Sequence, residues 1–141
     1  PGSYTGVRVG MTIAKTIKTV HPVRVKMISS LKAYAGMAKK TISVIDARSK
    51  KVFVGVYDNG VELEKECLMD ISDFASFYKQ YPDFQVVGDA SLVGFEGHDV
   101  CLYENMHHLA KICKEVESVH DLKPTYIKDI EVKQIWQPSD Q

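Results

Sequence analysis

Apolar and polar positions alternate with two periods along this chain, and each change of period marks an element. From Thr5 to Val20 the apolar residues recur every three or four positions, the repeat of a helix, and His21-Pro22 closes it because proline removes a helical N–H. Ser3 or Thr5 offers an acceptor to the unpaired N–H groups of the first turn. Val23 to Ile28 alternates with Arg24 and Lys26 and predicts a short strand, after which Ser29-Ser30 caps a helix over Leu31–Met37. Three strands follow at Thr41–Ala47, Val52–Tyr57 and Val61–Met69. Arg48-Ser49-Lys50-Lys51 joins the first two as a hairpin, and Asp58-Asn59-Gly60 turns the chain into the third. Asp70 or Ser72 caps a helix running to Tyr81. Phe84–Gly88 has the short apolar run of a buried strand, and Val100–Tyr103 reads as another. The period becomes helical again over Glu104–Val119, with Leu109, Ile112, Cys113 and Val116 on one face. Past Pro124 the tail is short, and Gln137–Gln141 are expected to fray. Three antiparallel strands followed by helix, strand and helix is the order of an RNase H-like or actin-like α/β half-domain.

The first helix carries more apolar surface than one buried face requires. At about 100° per residue, Val9, Ile13, Ile17 and Val20 form one stripe and Gly6, Gly10 and Ala14 an adjoining stripe of small residues. Val7 and Met11 lie just beyond, so the apolar arc covers roughly 200°, against about 100° for a helix with one packed face. Arg8, Lys15 and Thr19 hold the polar side. Two readings follow. The helix is buried at the centre of its own domain, or one stripe packs on the sheet and the other docks a partner helix through Gly6, Val7, Gly10, Met11, Ala14 and Lys18. Glycine inside a helix costs about 1 kcal/mol relative to alanine, and close helix–helix approach is the simplest compensation.

Composition narrows the function. The 141 residues, 45% apolar and 26% charged, are those of a soluble globular protein of one ordinary domain or a large remainder of a bigger one. Eighteen basic residues balance eighteen acidic ones, so no net field draws in polyanions; sequence-specific nucleic-acid binding by the chain alone is not expected, and any RNA contact is shared with a partner. Cys67, Cys101 and Cys113 form no CxxC and read as small buried residues in a reducing cytoplasm. No apolar run approaches the roughly 18 residues of a membrane span. The chain begins Pro1-Gly2-Ser3 inside a turn-then-helix signal, and we read it as a fragment or processed product.

Catalytic chemistry is thin. Gly2, Gly6 and Gly10 match no phosphate-loop spacing. His107 and His108 are adjacent, about 100° apart on a helix, and cannot easily share an ion, even with Glu104 nearby. Asp46 and Arg48 sit at a strand end, where a turn-capping Asp is the simplest role, and Gly88-Asp89 shapes a turn. No cofactor or metal is called for.

Pro1-Gly2-Ser3-Tyr4-Thr5-Gly6-Val7-Arg8-Val9-Gly10, continuing to Lys15, resembles the opening PGSFTGxRxG segment of the TsaB (YeaZ) family, with Tyr4 for Phe. Ile45-Asp46-Ala47-Arg48 with Val52–Tyr57, Val87-Gly88-Asp89, and Leu122–Lys128 with its Pro-x-Tyr are similar to later family motifs. The resemblance implies an actin-like ATPase (ASKHA) fold, with residues 1–40 the remainder of a first RNase H-like half-domain, 41–128 the second half, and 129–141 a tail. Family chains open with a strand bearing Asp-x-Ser/Thr, two more strands and a helix, for which this sequence has no counterpart. The resemblance further implies a non-catalytic subunit that supports a TsaD-like catalytic subunit in making N6-threonylcarbamoyladenosine on tRNA, with a TsaE-like ATPase in the assembled complex. Self-association into a homodimer is the other use of the same helix. An independent actin-like ATPase or kinase is the alternative, and would need phosphate loops and Mg²⁺ ligands ahead of Pro1. A glycoprotease-like metallopeptidase ranks below it, having no HExxH here.

Overall fold

The computed structural model describes residues 4–21 and 23–118. Two helices open it, α1 (Tyr4–Val20) and α2 (Ser30–Ala35). β1 (Thr41–Arg48), β2 (Lys51–Asp58) and β3 (Val61–Asp70) then form an antiparallel meander, as their β-branched alternation predicts. A 3-10 turn (Ile71–Asp73) and α3 (Phe74–Tyr78) carry the chain across to β4 (Gln85–Gly88), which lies parallel to β1; a parallel return needs such a crossover. A second 3-10 turn (Ala90–Val93) and α4 (Leu102–Ala110) follow. The sheet order is β3-β2-β1-β4, with Val44 opposite Val54 and Ser43 opposite both Gly55 and Val87.

Strand side chains alternate between two faces, and each face has its own cover. Ile42, Val44, Val52, Val54, Val56 and Val86 form one core with Phe74 and Ala90. Phe74, Phe77, Tyr78 and Phe95 close over it as stacked, tilted and edge-on aromatic pairs, 4.7–6.2 Å between centroids. The opposite face, with Ile45, Phe53 and Tyr57, packs against Leu31 and Ala35 of α2. α4 stacks outside α2, where the Asn105 amide donates to the Ala33 and Tyr34 carbonyls at 2.8 and 3.2 Å.

Two tight turns set the register. Asn59 and Gly60 adopt φ of 53° and 80°, the left-handed pair that a two-residue hairpin demands. The β1–β2 turn makes the same demand of Ser49 and Lys50, and Arg48 before them is left-handed too, at φ 63°. At the far end of the parallel pair Gly88 has φ 83°, and a Cβ there would collide with the Val44 carbonyl oxygen; only glycine fits. β3 is an edge strand, kept from pairing onward by register shifts opposite Val54–Tyr57 and by exposed Glu62, Glu64 and Lys65.

Several predicted boundaries are corrected. Val23–Ile28 is not a strand but an extended link with a single bridge, Lys26 to Glu115. Val100–Tyr103 is not a strand either; Leu102 and Tyr103 open α4. That helix stops at Ala110 rather than Val119, where the Lys26 ammonium binds the Ala110 carbonyl and Val116 N–H turns aside to Val25 at 2.7 Å. Ile112 is therefore exposed, while Val116 is buried. The helix expected up to Tyr81 shortens to α3 because Tyr78 donates its hydroxyl to the Phe84 carbonyl and folds the chain back. The Pro1–Ser3 turn, Pro22, the Leu122–Lys128 motif and the tail lie outside the described residues.

Candidate partner-docking site

α1 is the element that the described molecule leaves uncovered. No other described element packs along it, and Val9, Ile13, Ile17 and Val20 are 45–65% exposed. The stripe packs on neither face of the described sheet: α2 occupies one face and the α3 aromatics the other. Of the residues expected to dock a partner, Val7, Met11, Ala14 and Lys18 are half-buried and Gly10 is exposed. A Cβ at Gly10 would meet nothing within 4 Å, so no contact among the described residues requires glycine there. Gly6 lies in the first half of the helix.

The polar edge is less polar than its sequence. Thr12, Thr16 and Thr19 donate their hydroxyls to the carbonyls four residues back, those of Arg8, Thr12 and Lys15, at 2.8–3.0 Å. That bond satisfies the hydroxyl within the helix. Lys18 falls in the last turn, where a cation is favoured by the helix dipole. The link from α1 is anchored at Ser29, whose hydroxyl and that of Tyr57 both donate to Glu66 Oε1, each at 2.5 Å. Sequence reasoning missed this anchor, because its three residues lie on separate elements and no motif joins them.

The residues considered for catalysis do not assemble. Asp46 caps its own turn, accepting from Arg48 N–H at 2.8 Å, while its N–H donates to Asp89 at 2.7 Å; both carboxylates serve backbone geometry. The His107 and His108 rings are 6.1 Å apart and tilted by 54°, and among the described residues no three His, Cys, Asp or Glu side chains are grouped to hold a metal. Burial, and then the charge of Glu64, push the Cys67 thiol up, away from thiolate reactivity. All three cysteines are free, Cys101 exposed and the others half-buried. No helix of the described residues is long and apolar enough to cross a membrane.

The layered mixed sheet defines an actin-like α/β protein of the ASKHA, RNase H-like type. Two solved structures share that fold. YeaZ from Pseudomonas aeruginosa superposes with a TM-score of 0.68 at 20% identity, covering 90% of this chain and 70% of its own. An uncharacterized protein from the same organism with similarity to peptidase YEAZ gives 0.67 at 18%, covering 91% and 70%. The family model described as TsaD, tRNA N6-adenosine threonylcarbamoyltransferase, matches residues 1–133, and the chain belongs to that family as a TsaB/YeaZ-type member. The tRNA threonylcarbamoyladenosine biosynthesis protein TsaB of Bacillus subtilis (strain 168) is 29% identical over 167 residues, covering 96% of this chain and 69% of the relative.

Proposed function

We propose that this chain serves the synthesis of N6-threonylcarbamoyladenosine on tRNA as a non-catalytic subunit, docking a TsaD-like catalytic subunit through α1. The observation that carries this reading is the α1 stripe, four large aliphatic residues left 45–65% exposed on a helix against which no described element packs. Contiguous exposed apolar surface of that kind marks a protein-binding face. Family membership supports the pathway. A TsaE-like ATPase joins the assembled complex in this reading. Without the catalytic subunit, the same stripe supports self-association.

The test is titration of purified chain against a TsaD-like subunit by calorimetry. Ile13→Glu places a charge at the centre of the stripe, and Gly10→Leu or Ala14→Arg blocks close approach. Each is expected to weaken binding by at least about thirtyfold, the effect of losing an interface anchor, with the circular dichroism of the fold retained. Unchanged affinity in all three removes α1 from the interface. Threonylcarbamoyl transfer by the chain alone overturns the non-catalytic role.

A further inference from the structure

α4 presents a second outward face, unrelated to α1. Its inner side is used: Leu109 is fully buried and Asn105 clamps α2. On the outer side Tyr103 is 79% exposed, and its ring lies parallel to that of His107, with 9° between planes and 6.3 Å between centroids. Leu102 and Met106 flank this pair and are also exposed. Lys111 and Lys114 follow just past the end of the helix, exposed and in no ion pair among the described residues. Glu104 is the helix's single carboxylate, and nearby Glu115 faces Arg24 at 3.9 Å.

Protein interfaces deplete lysine relative to the rest of the surface. Exposed parallel rings on a helix that ends at the exposed Lys111, with the exposed Lys114 three residues further on, match a different partner, a strand whose bases stack on aromatic faces while its phosphates meet cations. We infer that the outer face of α4 is a contact for single-stranded RNA. One base stacks on the Tyr103–His107 pair, and backbone phosphates meet Lys111 and Lys114. The neutral net charge of the chain makes this a weak, salt-sensitive contact that supplements a larger RNA-binding surface on a partner. It does not depend on α1.

Fluorescence anisotropy tests it with a labelled short oligoadenylate, and duplex RNA of equal length, titrated with the purified chain over a series of salt concentrations. The single strand is expected to bind more tightly than the duplex. Tyr103→Ala should weaken its binding about tenfold, the effect of losing one stacked base. Lys111→Ala with Lys114→Ala should lower the slope of log affinity against log salt by about 1.4, for two phosphate contacts. Because all three side chains are exposed, thermal melts should be unchanged. No binding at low salt, equal binding of duplex, or affinities insensitive to these substitutions overturns the assignment. So does loss of TsaD-like subunit binding in the same variants with RNA affinity intact, which makes the face a protein surface. Ile13→Glu is expected to leave RNA affinity unchanged, so failure of the α1 reading is told apart from failure of this one.

Discussion

Glu66 is the residue on which the link and the sheet converge, since one of its carboxylate oxygens takes both the Ser29 and Tyr57 hydroxyls. Tyr57 is fully buried. Burial first, then the hydrogen bond it donates to Glu66 and the charges of Glu66 and Glu62, raise its phenol far above the ordinary value of 10.0. Tyr81 is pushed up to about 12 by burial, then by its hydrogen bond to Glu64 and that residue's charge. A phenol whose folded value is raised contributes stability that is fully present below the unfolded value and is lost as pH rises toward the folded one. The urea midpoint is therefore expected to fall between pH 10 and 12. Tyr57→Phe should be less stable at neutral pH by about 1 kcal/mol for the lost hydrogen bond, yet show a shallower alkaline decline. A midpoint equally flat in both proteins up to pH 12 rules the mechanism out. None of this was legible in the sequence. Asp46 was, because a turn-capping carboxylate acts two residues away, whereas Tyr57 reaches Glu66 across a strand pair whose register slips twice.

Elements repeat that contrast between local and distant causes. The three meander strands, β4 and α1 were readable because alternation, the Asn59-Gly60 turn and a three-to-four-residue repeat are local signals. The ends of α3 and α4 were not, since the hydroxyl of Tyr78, bonded beyond the helix to Phe84, decides one and Lys26, far back in the chain, decides the other. The β1–β2 turn was placed correctly from a sequence that suits it poorly. Ser49 and Lys50 hold the left-handed conformation without glycine or asparagine, at a cost of about 1–2 kcal/mol per residue. Ser49→Asn with Lys50→Gly, the favoured pair for such a turn, is expected to raise unfolding stability by about 1–2 kcal/mol, read as a higher urea midpoint with unchanged slope. A midpoint that stays put or drops shows that the turn is not strained in the native state.

At the scale of the whole molecule, two sheet faces are covered and one long helix is not. Its surplus of apolar surface was visible from spacing alone; its position was not, because a helical stripe does not say whether sheet or partner will cover it. Local stability follows packing density, so hydrogen exchange is expected to be fast for the amides of α1 and slow for those of β1 and β2. Addition of a TsaD-like subunit should slow α1 selectively. Equal protection of helix and strands in the free chain would show α1 to be part of the cooperative core. The three threonines bonded to their own backbone carry a last consequence. Their hydroxyls need no water, so this surface can dry and rewet without stranding a donor. Association through it should show a large negative heat-capacity change and little response to ionic strength, a thermodynamic signature opposite to that of a contact made by lysines.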